Sequence, residues 1–392
     1  MIPNYHWKVI SGQNNYLGKV KSHNLKETEM GYRGSKSEFV SQTETVKEQR
    51  VDGSWSIKAK SKKMLLRCTL MGFERNYQIK CPSKQLKYFS TSHSDNRLNP
   101  WFITGLIDAE GTFTVPIDEN PKRKLGWRVQ AKFKIELHKR DLDLLLKVQQ
   151  YFGGIGSISK SGNMVNYSVS SVKDLTNSII PHFTKYPLLS QKSADFLLFN
   201  SIVDLIINKF HLTIEGLNQT MNIKASMNKG LSQNIKHKFI NIVPVNRPFK
   251  VADKIPDPQW ITGFVNGEGT FDVKLYTSNT KTGHAVQLRF RIPQHERDLK
   301  LIEVIMKYYG SGYIEKHTIF PAVTLVIVRF SIIIEKVIPF FEKYPLLGIK
   351  QKDFLDWCKI AKLMSAGSHL TAEGFKLIKI IKAGMNNSRY KE

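Results

Sequence analysis

Glu110 and Glu268 are acids in an awkward place. Each closes an apolar, glycine-bearing stretch, WFITGLIDAE at 101–110 and WITGFVNGE at 260–268, and each is followed by Gly-Thr-Phe. Read as helices, the two stretches end in carboxylates that face the negative end of the helix dipole, at a cost of about 0.3–1 kcal/mol each. Gly105 and Ala109 lie four residues apart on one helix, as do Gly263 and Gly267 on the other. Small residues at that spacing let two helix backbones approach closely. The helices are therefore expected to pack on each other about a pseudo-two-fold axis, which brings Glu110 and Glu268 together. Two neighbouring acids at helix C-termini call for a cation, and an oxygen-donor site with room for water suits Mg²⁺. A metal held by acids against a phosphate activates water and stabilises the leaving oxygen, which is phosphodiester hydrolysis.

The elements that position these acids occur twice. HKRDL at 138–142 is answered by HERDL at 295–299, YFGGIGSI at 151–158 by YYGSGYIE at 308–315, and KYPLLSQK at 185–192 by KYPLLGIK at 343–350. HLTIEGL at 211–217 is answered by HLTAEGF at 369–375, and SMNKG at 226–230 more weakly by GMNNS at 384–388. So many matches in one order mean a duplicated domain. Each copy reads helix, strand pair, helix, strand pair, helix, with further helix behind. Its first helix opens on an N-cap residue and a proline, Asn99-Pro100 or Asp257-Pro258. Repeat one is placed at 97–228, a linker at 229–257 and repeat two at 258–392. The HLT-EG blocks read as helix starts capped by threonine; His211 and His369 are not read as metal ligands.

Strict alternation marks the strands. In RVQAKFKI, Val129, Ala131, Phe133 and Ile135 share one face while Arg128, Gln130, Lys132 and Lys134 share the other. In VQLRFRI, Val286, Leu288, Phe290 and Ile292 oppose Gln287, Arg289 and Arg291. A sheet with one apolar and one cationic face packs on helices behind and opens in front. The open faces are expected to meet the phosphates and base edges of a nucleic-acid groove. A merely solvated face would mix both signs of charge.

Bulk composition agrees. The chain of 392 residues carries 59 Lys+Arg against 33 Asp+Glu, a formal charge of +26, and its 41% hydrophobic content belongs to a folded protein. Cys68, Cys81 and Cys358 form neither a metal spacing nor a disulfide framework, which suits a reducing compartment. No apolar run approaches the ~18–20 residues of a membrane helix. No secretory or transit signal is read at the N-terminus. Residues 1–96, with 17 Lys+Arg and 8 Asp+Glu, stand outside the repeat and are expected to be a partly disordered basic extension; MLLRCTLMGFERNYQIK within it is compatible with a strand or short helix.

TGLIDAEGTF and TGFVNGEGTF, with the paired KYPLL and HLT-EG blocks, resemble the LAGLIDADG homing endonucleases in their single-chain, two-repeat form, especially those of fungal mitochondrial introns. The resemblance covers about 97–390. It implies an α+β fold of two pseudo-symmetric αββαββα units, with saddle-shaped antiparallel sheets astride DNA and the motif helices at the repeat interface. It implies a monomer that cleaves both strands of a long asymmetric site, with a divalent metal and in the mitochondrion. By position, Glu110 and Glu268 would hold metal with the carbonyls of Ala109 and Gly267 assisting. Lys192 and Lys350 would stand near the scissile phosphates, and Gln294 would position solvent, its counterpart being Leu137. Three positions depart from the family pattern: Asp108 becomes Asn266 in the second copy, which takes it out of the catalytic set, and Glu136 and Pro293 replace small polar residues. A second reading is a maturase binding its host intron RNA, or a DNA binder that no longer cuts. The retained acids, lysines and glutamine favour cleavage.

Overall fold

The computed structural model describes residues 97–239, 241–248, 252–279, 283–386 and 389. The chain divides into Met1–Pro82 and Ser83–Glu392, and every described residue belongs to the second unit. The expectations for residues 1–96, with Cys68 and Cys81, lie outside the described residues.

The first repeat opens with α1 (Pro100–Glu110), whose start is fixed by Asn99 accepting from the Trp101 N–H and by Pro100 at its first position. There follow β1 (Gly111–Thr114), β2 (Ile117–Glu119), β3 (Trp127–Val129), β4 (Lys132–His138), α2 (Leu142–Tyr151), β5 (Ser157–Ser161) and β6 (Met164–Val169). One helical run then joins α3 (Val172–Asp174), a π turn (Leu175–Ile179) and α4 (Ile180–Lys185), and leads to α5 (Lys192–Ile207) and α6 (Ile214–Ala225). The π turn sits just ahead of Pro181, which has no N–H to continue the α ladder. After α7 (Gln233–Lys238) the second repeat retraces the order. It runs α8 (Pro258–Glu268), β7 (Thr270–Thr277), β8 (His284–His295), α9 (Leu299–Tyr309), β9 (Tyr313–Lys316) and β10 (Ala322–Ile327). Then come α10 (Phe330–Ile332), a π turn, α11 (Ile338–Lys343), α12 (Gly348–Ser365) and α13 (Ala372–Ala383).

Each repeat holds a four-stranded antiparallel sheet, ordered β1-β4-β6-β5 in the first and β7-β8-β10-β9 in the second. The alternation seen in the sequence sorts as expected. Phe133, Ile135, Leu288, Phe290 and Ile292 are buried, and the polar residues between them are half-exposed. Behind the first sheet Phe113 meets Phe133, Phe183, Phe196 and Phe199; behind the second Phe271 meets Phe290, Phe341, Phe354 and Trp357. Burial of such rings, each worth about 1.5–3 kcal/mol, is the main source of cohesion within a repeat.

Two expectations need adjustment. The stretch 128–135 is not one uninterrupted strand. β3 pairs with β2, β4 pairs with β1, and the ladder lapses at Pro116, which has no N–H to donate. The register is unbroken across the gap, Thr114 facing Lys132 and Ile117 facing Val129, with the Gln130 N–H donating to the Pro116 carbonyl. The stretch 229–257 is more than a tether. It contains α7, and Leu231 and Ile235 are buried in the core of the first repeat.

Arg247 then closes that repeat by gripping the buried Asp195 at 2.7 and 3.0 Å, while the Asn228 N–H donates to the same carboxylate. The second repeat closes in the same way, with Arg389 on Asp353 and Asp356 and the Asn386 N–H on Asp353.

The repeats meet at α1 and α8. A methyl group at Gly105 would stand 2.0 Å from the Trp260 carbonyl, and one at Gly263 would stand 2.0 Å from that of Phe102. Only glycine permits so close an approach of two helix backbones.

Candidate active site

Glu110 and Glu268 are the last residues of α1 and α8, each followed by a glycine in extended conformation that leads straight into the next strand. The packed helices therefore deliver both acids to one place. A methyl group at Gly267 would lie 3.2 Å from Glu110 Oε1 and 2.5 Å from the Ala109 Cβ. Burial pushes both carboxyls up from their ordinary range, and Lys192 and Lys350 pull them back. For Glu268 burial and the neighbouring Glu110 prevail, and its pKa is about 7.

The KYPLL segments bring the two lysines here. Asp108, buried in α1, accepts from the Leu189 and Ser190 N–H groups, from the Ser190 hydroxyl and from Trp260 Nε1 of the other repeat. Asn266 accepts the Leu347 N–H at the matching place. The position that changes from acid to amide thus anchors the loop before each lysine. Desolvation raises the Asp108 carboxyl against these four donors. Lys192 opens α5 and its Nζ donates to the Ile107 carbonyl at 3.3 Å and to that of Ala109. The Ala109 carbonyl, expected as a metal ligand, is therefore engaged by a lysine. Lys350 reaches the carbonyl of Gly269, two residues beyond the equivalent of Ala109. Burial lowers the pKa of both ammonium groups, and the carboxylates around them offset it.

A cleft of about 290 Å³ opens beside Glu110, lined among others by Glu136, Asp141, Gly267 and Lys350. Gln294 lies near the end of β8, its Oε1 accepting from the His295 N–H, whereas Leu137 is buried. Carboxylates and main-chain carbonyls make an all-oxygen donor set that fits a hard divalent cation. Among the described residues no group of three or more His, Cys, Asp or Glu could hold a metal ion. Glu110 and Glu268 would thus share it with water and phosphate oxygens.

The open sheet faces carry the expected cations, but not alone. Arg128 pairs with Asp118 at 2.7 Å, Lys134 with Glu136 at 2.6 Å, Arg289 with Asp272 and Arg291 with Glu315 at 3.8 Å. The face of a single sign anticipated from β4 and β8 is corrected by Glu136 of β4 itself and by acids on β2, β7 and β9. An exposed pair such as Arg128–Asp118 is worth about 0–1 kcal/mol, so its acid would yield to a competing anion at little cost. Lys132, Gln130 and Gln287 are half-exposed along the same stretches. Lys274 and Tyr276 extend the face on β7, Lys274 facing Gln287 across the ladder. The alternation of TFDVKLY could have located them. His211 and His369 precede Thr213 and Thr371, whose hydroxyls cap α6 and α13 by accepting from Gly216 and Gly374.

Sequence reasoning missed Asp141 and Asp298. HKRDL and HERDL mark the duplication in the sequence, but both aspartates also reach across to the opposite repeat, to the Ile349 and Gln191 N–H groups respectively.

The sequence pattern of the LAGLIDADG endonuclease family matches this chain twice, at 103–203 and 261–361. Probable intron-encoded endonuclease 3 of Neurospora crassa is 51% identical over 399 residues, covering 97% of this chain and 74% of that protein. Probable intron-encoded endonuclease 2 of the same fungus is 38% identical over 294 residues, covering 72% and 64%. The crystal structure of the I-SmaMI LAGLIDADG homing endonuclease bound to cleaved DNA has a TM-score of 0.74 and 44% identity to this chain, covering 75% of it and 98% of I-SmaMI.

Proposed function

The chain belongs to the LAGLIDADG endonuclease family, and from that premise we propose that its two sheets grip one DNA duplex while the acid pair at the helix ends hydrolyses one phosphodiester bond in each strand. It is a site-specific DNA endonuclease with two repeats in one chain. The observation that carries the mechanism is the juxtaposition of Glu110 and Glu268, each within the field of both Lys192 and Lys350.

The repeats divide the work. The polar faces of the two sheets bind the duplex, with Arg128, Gln130, Lys132 and Lys134 on one side and Gln287, Arg289 and Arg291 on the other. The two motif helices fix the spacing of the acids to that of the two scissile phosphates. A divalent cation, Mg²⁺ in this reading, would be held by Glu110 and Glu268 with the Gly267 carbonyl, and would supply charge neutralisation at the phosphate and a more acidic water. Lys192 and Lys350 offer positive charge where the phosphate becomes more negative, from positions already fixed by main-chain carbonyls. Gln294 orients water in the second half, and the apolar Leu137 makes the halves unequal. The protein acts as a monomer, because the pseudo-two-fold axis lies inside one chain. An intron-encoded origin in a fungal mitochondrion accords with the two Neurospora relatives, both probable intron-encoded endonucleases.

The test is a cleavage selection by the full chain on a randomised duplex library, with Mg²⁺ and with EDTA. Cut products sharing one long asymmetric motif, formed only with metal, are expected. A folded protein that binds duplexes and cuts none would overturn the reading.

A further inference from the structure

The helices that carry Lys192 and Lys350 share a peculiarity. Neither is capped by the side chain of its own N-cap residue, Gln191 for α5 and Leu347 for α12. At the start of α5 the Ser190 hydroxyl accepts the Lys192 N–H at 3.2 Å, and at both helices an acceptor comes from the opposite repeat. Asp298, in the turn between β8 and α9, accepts from the Gln191 N–H at 2.7 Å. Asp141, in the equivalent turn between β4 and α2, accepts from the Ile349 N–H at 3.0 Å. Both aspartates stand at the N-cap of the helix that follows them, yet neither caps it with its side chain. Each has given up the local bond for one in the other repeat.

The recipient N–H groups are one residue ahead of the two lysines. Both carboxylates are largely shielded, with side-chain exposure of 20% for Asp141 and 5% for Asp298. The fit at Asp141 is tight: Gly348 has φ +61°, and a methyl group there would stand 2.4 Å from Asp141 Oδ1. A glycine at this place serves both the left-handed turn and the approach of the carboxylate. In the first repeat the same position is Ser190, which is bound to Asp108.

We propose that Asp141 and Asp298 are positioning residues for DNA cleavage: each, from one repeat, pins the start of the other repeat's lysine-bearing helix and so sets where that lysine stands relative to the acid pair. The inference rests on the endonuclease reading. Its physical basis is that the lysine's placement must be set before the phosphate arrives, since a misplacement of about 1 Å costs on the order of a hundredfold in rate. The crossed arrangement also makes each half of the active site depend on the other half's scaffold.

The experiment uses the full chain and its selected target duplex, with each strand labelled separately, under single-turnover conditions in Mg²⁺. Asp141→Ala is expected to slow cleavage roughly ten- to a hundredfold, chiefly on the strand that Lys350→Met slows most. Asp298→Ala should show the strand bias of Lys192→Met. Affinity for the duplex should be unchanged. Asp141→Asn and Asp298→Asn, which retain Oδ1 as acceptor, should recover most of the rate. Adding Asp141→Ala to Lys350→Met should slow that strand no further, because the two act through one group. Equal slowing of both strands with a parallel loss of affinity, additive effects in the double variant, or wild-type rates would each overturn the proposal. Where an alanine variant does not fold, Asp141→Glu or Asp298→Glu keeps the charge and shifts the acceptor by one methylene, and the same strand-selective loss is expected. A wild-type chain that cuts no DNA refutes the endonuclease reading itself. A cutting wild type with unaffected aspartate variants refutes positioning alone.

Discussion

Glu268, a catalytic acid in the proposed reaction, is a liability to the fold that holds it. Its carboxyl is raised from the usual 4.5 to about 7 by burial and by Glu110. The neutral form is therefore favoured in the folded chain. The stability it contributes is complete below about pH 4.5 and lost as pH rises through 7. Glu268→Gln is thus expected to raise the melting temperature of the metal-free protein at pH 8, with the gain shrinking toward pH 4.5; a melting series across that range checks it. Divalent metal should narrow the gap by stabilising the wild type more than the variant. The same variant, and Glu110→Gln, should lose double-strand cleavage by at least about a hundredfold while retaining specific binding, measured on the selected target. Binding lost along with cleavage would make the acids structural. These two glutamates were legible because each ends a repeated motif. Asp141 and Asp298 were not, because their bonds span 208 and 107 residues of sequence and no local period encodes a contact of that length.

Among the elements, the paired motif helices leave least room for change. Gly105→Ala or Gly263→Ala drives a methyl group against a backbone carbonyl, and about 3 kcal/mol or more of stability should be lost, read by urea unfolding. The spacing of small residues foretold this contact. What it could not foretell was the lapse of the ladder at Pro116 or the burial of α7, since each depends on what lies across from it. His182 in α4 gives a second measurement at this scale. Its ring lies between the Thr104 and Tyr151 hydroxyls, and burial lowers its pKa from the usual 6.5 to about 3. The folded chain keeps it neutral while the unfolded chain protonates it. Stability should therefore hold above pH 6.5 and fall toward pH 3, by at most about 1.4 kcal/mol per pH unit for this one proton. His182→Phe, matching Phe340 at the equivalent place in the second repeat, should flatten that acid limb in unfolding curves taken between pH 4 and 7.

For the molecule as a whole, a formal charge of +26 makes the encounter with DNA electrostatic before it is specific. Binding should weaken with salt at a log–log slope of about −0.9 per phosphate contacted, and Lys132→Ala should make that slope shallower by about one contact. An unchanged slope would place Lys132 away from the backbone. Charge and alternation made the partner readable in the sequence; Glu136 beside Lys134 was in plain view, but Asp118, Asp272 and Glu315 were not readable as balancing acids, because neighbours from other strands are fixed only when the sheet forms. The closing arginines show a related freedom. Asp195 and Asp353 are counterparts in the duplication, but Arg247 follows the first by 52 residues and Arg389 follows the second by 36. The acid recurs at the matched position of both copies, whereas its cation comes from a different offset downstream in each. A buried charge left over from duplication acts as a standing demand, and the sequence downstream was free to answer it twice in different ways.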